Sequence, residues 1–473
     1  MLAPPQTDGM VRPMLSRMIA AAGAVTALLA SAGCGQGSTT GNPAVPVLGA
    51  PSSQSTAAAD LGYPGFATKN TTRVGGSDPV ADAAAVARAV YVAASANTRP
   101  QVVVLADDRN WPGALAASVL MSRPLRAPIL LAHGNSLPAA TQQALRDLSP
   151  TGAPQAGGAQ VIRVGTQASV GSLRVRQVSG ATPFAVAAAI DRLASEASGS
   201  STGQVVVVPS TAPAFAMPAA GWAAKSGDPI LFVTPTSVPA ETMAAIHSHP
   251  GAHLYVLGPL SVVGKEVTSA LRPLGKVTRI SAPDPVASAV AFARFTDGHF
   301  GWGVTDPGHG LVFANATRPL DAAAAAPLSA SGSYGPLLVT DSAIGLPSAL
   351  DGYLRDIQPG YDKDPARGFY NHAWLIGDRA AISLTEQASI DALLEIAPVS
   401  GAGPTAPGEG ATGPAGAAGP GGASAPIPAP SVTGPTGASG PARPHAHRAH
   451  QRSPGGGYPI GPGGLTGLRT AKP

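Results

Sequence analysis

The chain has 473 residues, a length that allows several domains. Apolar residues make up 44% of the sequence and aromatic residues only 4%, so alanine and valine must supply most of any core. The net charge is +4, yet residues 61–398 contain equal numbers of basic and acidic side chains. A neutral folded region excludes bulk nucleic-acid binding, which requires clustered positive charge.

The N-terminal segment has the features of an export signal. Arg12 and Arg17 precede an apolar run, residues 18–30, that ends in small residues before Cys34. The run is shorter than the roughly 20 residues of a membrane-spanning helix. Cys34 is the only cysteine, so it has no internal disulfide partner, and an unpaired thiol in an exported protein needs an explanation.

The residues that lead up to Cys34 offer such an explanation. The sequence Leu-Ala-Ser-Ala-Gly-Cys resembles a bacterial lipobox, although Ser31 stands where a leucine is usual. The resemblance implies that Cys34 is lipidated and anchors the chain to a membrane. An ordinary cleaved signal with a chance cysteine is the alternative that the residues leave open. We assign residues 1–34 to the signal and residues 35–70, rich in Ser, Ala and Pro, to a flexible tether.

Three segments of the chain repeat one pattern at nearly equal intervals. Each begins with a proline, continues through alanines and ends at an arginine, over residues 79–88, 183–192 and 285–294. Proline suits the first turn of a helix and alanine favours its interior, so each segment is predicted to be a helix that starts at the proline.

The similarity between the three copies continues downstream. Each copy has a β-branched strand, an alanine-rich helix, a second apolar strand, a helix after an apolar–Pro pair and a third strand that ends on glycine. Continuous apolar strands that alternate with helices predict parallel sheets covered on both faces. Right-handed crossovers would then give a doubly wound, Rossmann-like layer in each copy.

The order of these motifs is similar to that of the cell-wall-binding repeat 2 family. Residues 111–117 match one family motif, except that Gly113 replaces the usual aspartate, which the third copy keeps as Asp321. The resemblance implies an α/β protein of three tandem Rossmann/Toprim-like modules in a pseudo-threefold group. The predicted repeats are residues 71–174, 175–276 and 277–398. The resemblance also implies a non-catalytic surface protein that binds anionic cell-wall polymers without covalent bonds.

The resemblance implies a location for polymer binding as well. The opening arginine of the family aligns at Arg73 and Arg279, and the second copy has Gln177 there with Arg176 beside it. Guanidinium groups at Arg73, Arg176 and Arg279 suit phosphate or carboxylate groups. The residues alone leave open that these arginines are solvated or ion-paired and that the second strands are simply core. The strand positions assigned to the polymer site are Ile129, Leu130, Leu131, Ile230, Leu231, Leu337 and Leu338.

Other candidate sites have less support in the sequence. Asp107 and Asp108 follow a strand in one copy only, which favours a solvated loop over a metal site. His133 has no repeated partner, and His249 and the histidines near it are interpreted as surface residues. Because the sequence contains no nucleophile elbow, HExxH, Walker or GxGxxG motif, we predict no enzymatic activity and no cofactor.

The C-terminal residues 399–473 consist mainly of Gly, Pro, Ala and Ser. Such a segment buries too little apolar surface to offset the entropy of ordering, so it is predicted to be a disordered tail. Arg443, Arg448 and Arg452 make the tail basic, and we interpret it as an arm that contacts anionic wall polymer.

Two other function classes remain open from the sequence. One is a solute-binding or accessory envelope lipoprotein that holds a small ligand between modules. The other is an envelope hydrolase, which the lack of a repeated Ser/His/Asp or Glu set disfavours. The third copy has the longest insertion, residues 358–371, which is where a function of its own would be expected.

Overall fold

The computed structural model describes residues 66–332, 335–342, 345–362 and 364–399. The predicted signal, Cys34, the tether up to residue 65 and the tail beyond Val399 lie outside these residues and stay predictions. Among the helices of the described ranges, none is long and apolar enough to cross a bilayer.

The elements follow the repeated pattern of the sequence. The described strands are β1 (Phe66–Ala67), β2 (Thr71–Val74), β3 (Val103–Asp107), β4 (Ile129–Ala132), β5 (Val161–Val164), β6 (Val175–Val178), β7 (Gln204–Pro209), β8 (Ile230–Val233), β9 (His253–Leu257), β10 (Lys276–Ile280), β11 (Gly310–Asn315), β12 (Leu337–Thr340), β13 (Gly360–Tyr361), β14 (His372–Ile376) and β15 (Ala397–Pro398).

The described α-helices are α1 (Pro79–Val90), α2 (Trp111–Ala116), α3 (Ala139–Leu148), α4 (Pro183–Ser198), α5 (Pro213–Ala216), α6 (Pro218–Ser226), α7 (Ala240–His247), α8 (Lys265–Leu271), α9 (Pro285–Arg294), α10 (Pro319–Ser329), α11 (Ser348–Asp356) and α12 (Leu384–Leu393). Short 3-10 helices cover Ala96–Thr98, Ala117–Met121, Pro154–Ala156 and Pro365–Arg367.

The helix that opens each copy begins as the sequence predicts. Asp78, Thr182 and Asp284 are the N-cap residues of α1, α4 and α9, and each accepts hydrogen bonds from backbone N–H groups of the first turn. A proline follows each cap. This combination satisfies otherwise free donors at the helix start and sets the backbone angle for the first turn.

Three sheets share one topology of four parallel strands. Their strand orders are β4-β3-β5-β6, β8-β7-β9-β10 and β12-β11-β14-β2. In the third sheet β1 adds an antiparallel edge strand beside β2. The α/β fold with repeated parallel-sheet modules is therefore confirmed.

The sheets are offset from the sequence repeats by one strand. The strand that opens the second copy, β6, is the edge of the first sheet, and β10 is the edge of the second sheet. By the same rule β2, which opens the first copy, pairs with β14 of the third sheet, with Arg73 opposite Leu375. The three modules thus close into a ring, and the repeat boundaries drawn from the sequence stay a prediction.

The modules contact one another through alanine-rich helices at the pseudo-threefold axis. The segment 111–121, α6 and α10 pack together there, and α1 packs along α10. These helices are rich in buried alanine, and the Cβ of an alanine at Gly221 would lie 2.7 Å from Ser329 Oγ. Small side chains are what allow three helices to approach so closely.

Candidate functional site

Arg73 is held inside the protein by its neighbours on the third sheet. The residue is only 6% exposed. Its guanidinium donates to the carbonyl oxygens of Gly377, Asp378 and Ile382 at 2.7–3.0 Å and to Gln387 Oε1 at 2.9 and 3.2 Å. Burial lowers the pKa of Arg73 to about 10, so the side chain remains charged at neutral pH. Arg73 therefore fastens β2 to the loop after β14.

The equivalent residues of the other copies occupy the same place. Arg279 donates to the carbonyl oxygens of Gly258 and Val263 at 2.6 and 2.8 Å. Gln177 donates to the carbonyl oxygen of Thr166 at 3.2 Å. In the parallel ladders Arg73, Gln177 and Arg279 face Leu375, Arg163 and Val256 of the preceding strand. In this chain the residue at this position thus holds the loop that follows the glycine-ended strand.

Arg176 differs from this set, because it lies one position earlier and its side chain projects from the opposite face of the sheet. Its guanidinium forms a partly exposed ion pair with Glu196 at 2.5 Å. The structure consequently does not bring Arg73, Arg176 and Arg279 together at one site. Their contact with a polymer stays a prediction, and for Arg73 it would compete with the bonds to the loop.

The second strands, β4, β8 and β12, are edge strands of their sheets, yet their side chains are buried. Each of the seven positions assigned to the polymer site is 0–1% exposed, and they are Ile129, Leu130, Leu131, Ile230, Leu231, Leu337 and Leu338. Because both strand faces are covered, these side chains contribute to the hydrophobic core. Their contact with a polymer is likewise untested and stays a prediction.

A cleft of about 630 Å³ opens where the first and third modules meet. Its walls are the first turn of α1, the residues that follow β3 and β4, the start of α3, and Leu320 of α10. Ligands of open α/β sheets bind in such crevices at the carboxyl ends of strands. The volume lies within the range of small-molecule sites.

The polar groups of this cleft are acidic or neutral. Its lining includes Asp78, Asp108, His133 and Ser136, together with proline and alanine surfaces, and contains no lysine or arginine. His133 Nδ1 lies 2.9 Å from Asp108 Oδ2, a pairing that the separate sequence positions did not reveal. Asp107 Oδ1 accepts a hydrogen bond from the backbone N–H of Gly134 at 3.1 Å, and its carboxylate forms an ion pair with Arg109. Such a lining suits hydroxyl groups better than phosphates.

Next to residues that line the cleft, Arg318 contacts three carboxylates, of which Asp82 and Asp321 are buried and Asp378 is partly exposed. Asp82 and Asp321 sit in the first turns of α1 and α10, and each is 0% exposed. Arg318 reaches Asp82 at 2.5 Å, Asp321 at 2.7 Å and Asp378 at 3.7 Å. Asp321 matches the aspartate of the family motif in the sequence, but no sequence signal indicates its partners.

The two buried aspartates of this cluster hold protons more tightly than usual. Burial, and next the charge of Asp321, raise the pKa of Asp82 to about 9 in spite of Arg318. Burial raises the pKa of Asp321 to about 6 against the effect of Arg318. Both carboxyl groups are buried against the single guanidinium of Arg318, so the pair keeps a proton at neutral pH.

His249 was interpreted as a surface residue, and this interpretation is wrong, because the side chain is buried. Its Nδ1 lies 2.9 Å from the carbonyl oxygen of Thr202, and its Nε2 lies 3.0 Å from both Asp191 oxygens. Burial alone would lower the pKa of His249, but the bond to Asp191 outweighs it and the pKa is raised. With acceptors at both nitrogens the ring is an imidazolium and has no free nitrogen to act as a base.

The insertion of the third copy, residues 358–371, adds a small parallel pairing of β13 with β15. It also carries two exposed aromatic side chains, Phe369 and Tyr370. Across the described residues no group of three or more His, Cys, Asp or Glu side chains is arranged to hold a metal ion.

These features define an α/β repeat protein whose three modules form a ring around a core of small residues. Residues 73–175 match the family model described as Cell wall binding domain 2 (CWB2), which confirms the resemblance drawn from the sequence. No curated protein matches the sequence.

Two solved structures share the fold of the ring. Cwp6 from Clostridium difficile is 15% identical and has a TM-score of 0.51, over 68% of this chain and 48% of that one. Cwp8 from the same organism is 18% identical and has a TM-score of 0.53, over 69% of this chain and 52% of that one. The similarity spans about half of each neighbour and concerns the fold.

Proposed function

We propose that this protein is a non-catalytic surface protein whose modules associate non-covalently with polymers of the cell wall. The observation that carries the proposal is the match of residues 73–175 to a cell wall binding domain, within a ring of three modules of one topology. Arg73 and Arg279 are engaged with loops of the fold and the second strands are buried, so we look for a further contact surface at a seam, which here means the contact between two neighbouring modules.

We place one polymer contact at the cleft between the first and third modules. Asp108, His133 and Ser136 offer hydrogen-bond acceptors and donors, and the faces of Pro79 and Pro138 provide apolar contact. Sugar hydroxyl groups match this lining, whereas an anionic group would meet the carboxylates of Asp78 and Asp108. We assign contact with the anionic groups of the polymer to basic residues outside the cleft, and we include Arg443, Arg448 and Arg452 of the tail.

Retention on purified cell walls tests the proposal. The full chain is mixed with walls before and after chemical extraction of the attached polymers, and bound protein is measured by sedimentation. We expect retention that depends on the extracted polymer. Equal retention on extracted and intact walls would contradict the assignment.

A matched pair of variants locates the contact. Ala140 lines the cleft and Ala139 beside it is exposed outside the lining. We expect Ala140→Trp to fill the cleft and reduce retention severalfold, and Ala139→Trp to bind like the parent. If both variants bind like the parent, the polymer does not enter the cleft.

The second candidate is a solute-binding or accessory lipoprotein that holds a small ligand in the same cleft. The volume of about 630 Å³ is the observation in its favour. A thermal-shift screen with small metabolites and soluble wall fragments separates the two, because a rise in Tm with metabolites alone favours the second candidate.

Lipid anchoring at Cys34 completes the proposal and rests on the lipobox-like residues before it. More than one acyl chain gives stable membrane association, since each buried CH2 contributes about 0.8 kcal/mol. Expression with an alkyne-labelled fatty acid tests this. Label on the parent and none on Cys34→Ser is expected, and unlabelled parent protein would argue for an ordinary cleaved signal.

A further inference from the structure

The cluster around Asp82 contains more negative than positive charge, and Asp82 and Asp321 themselves are fully buried. Arg318 and Asp321 face it from the start of α10, and Asp378 faces Arg318 from the loop after β14. Arg73 lies near on β2, but its hydrogen bonds go to carbonyl oxygens and to Gln387. Glu386 of α12 lies beyond Arg73 and bonds Thr340 Oγ1 at 2.6 Å.

One guanidinium cannot balance the carboxylates that contact it. Asp82 and Asp321 are both fully buried, so a second negative charge there would have neither water nor a cation to stabilise it. A proton shared between the two carboxyl groups removes that charge. Like carboxylates in one site behave in this way, because both cannot ionise together at low cost.

The pair of carboxyl groups, Asp82 and Asp321, occurs at only one of the equivalent seams in the described ring. The third helical position after the opening proline is Asp82 in the first copy, Val186 in the second and Ser288 in the third. Ser288 Oγ accepts a hydrogen bond from Ala282 N at 2.9 Å, just as Asp82 Oδ1 accepts one from Gly76 N at 2.5 Å. A neutral hydroxyl therefore suffices for the local turn, and a carboxyl is not required for it.

The seam with the pair is also the one at which the chain closes on itself. Here β2 and α1, from the start of the described chain, pack against β14 and α10 of the third module. The two other seams join segments that follow one another along the chain. Separation of the closing seam can therefore occur without breaking a direct chain connection.

We propose that Asp82 and Asp321 form a proton-operated latch on the ring, in which one shared proton holds β2 and α1 against the third module. Loss of that proton in the alkaline range leaves two buried negative charges beside a single guanidinium. Their repulsion loosens the closing seam, while the seams at Val186 and Ser288 keep their packing. The cleft is affected together with the seam, since the first turn of α1 and Leu320 both line it.

Hydrogen exchange of the full chain, corrected for the intrinsic pH dependence of amide exchange, tests the latch. The peptide that contains Thr71–Val74 reports the closing seam, and the peptide that contains Lys276–Ile280 is the internal control. We expect protection of Thr71–Val74 to fall roughly tenfold per pH unit between about pH 6 and about pH 9, where the closed state still holds a proton that the opened state has released, and to level off at higher pH. The control peptide should change far less.

Neutral variants separate the latch from a general alkaline effect. Asp82→Ser introduces the residue that the third copy has at this position, Ser288. Asp321→Asn removes the other carboxylate, from the α10 side. If one variant fails to fold, the other still tests the proposal. Either variant should abolish the selective loss of protection. Parallel loss in the two peptides of the parent protein, or full retention of the selective loss in a folded variant, would overturn the proposal.

Discussion

Arg73 donates a hydrogen bond to the carbonyl oxygen of Gly377 at 3.0 Å, although 304 positions separate the two residues. The bond joins β2, the strand that opens the first copy, to the glycine that follows β14 of the third sheet. Arg279 makes the same bond to Gly258 between neighbouring copies. One interaction thus serves both for sequential contact and for closure of the ring.

A structural role for Arg73 predicts a loss of stability on substitution. Arg73→Gln places at this position the residue that the second copy has at Gln177. Because a shorter side chain leaves buried carbonyl oxygens without donors, the free energy of unfolding should fall by roughly 1–3 kcal/mol. Urea denaturation measures it, with Arg176→Gln as the control, where a partly exposed ion pair is worth about 0–1 kcal/mol. Equal effects of the two variants would contradict the assigned role.

The packing at the axis predicts opposite effects of alanine at two helical glycines. At Gly221 a Cβ would lie 2.7 Å from Ser329 Oγ and 3.0 Å from Ser329 Cβ, so Gly221→Ala should destabilise by about 1–3 kcal/mol. At Gly352 in α11 nothing lies within 4 Å, and Gly352→Ala should stabilise by roughly 0.5–1 kcal/mol. Thermal unfolding of both variants checks this, and a stabilised Gly221→Ala would show that the axis is loosely packed.

The buried imidazolium of His249 predicts a pH-dependent contribution to stability. Because the folded pKa is raised, this contribution is complete below the unfolded value near 6.5 and is lost as the pH rises through the folded value. His249→Gln leaves Asp191 buried without its partner and should cost about 3 kcal/mol or more at pH 6. The difference from the parent should shrink toward pH 9.

Urea titrations of the parent and His249→Gln at several pH values measure that difference. His247→Gln is the control, because His247 is exposed two positions earlier. A difference that stays constant from about pH 6 to about pH 9 would show that His249 is neutral in the folded protein.

Because β2 closes the ring, its removal should change the association state of the protein. A chain that begins at residue 75 lacks β2 and leaves the edge of β14 unpaired, and an exposed edge strand readily pairs with another chain. We expect this chain to dimerise or aggregate, and a chain that begins at residue 66 to stay monomeric. Size-exclusion chromatography with light scattering distinguishes them. A monomer with an unchanged unfolding midpoint would mean that β2 contributes little.

Several parts of the protein follow from local sequence. The proline-led helices, the apolar strands and the repeated order of elements depend on neighbouring residues, because turn geometry and hydrophobic periodicity are local. They are sufficient to predict the α/β modules and, with the motif at residues 111–117, the family resemblance. The Asp78, Thr182 and Asp284 caps belong to the same class of local signal.

The tertiary structure alone decided which distant groups meet. The partner of β2, the burial of His249 and the contact of Asp82 with Arg318 across 236 positions depend on how three modules pack around an axis. A single copy contains no information on that geometry, because the same strand or carboxyl can face solvent, its own module or a neighbour. The sequence determined the unit and its repetition, and packing between units determined the closed ring, the cleft and the proton-sharing pair.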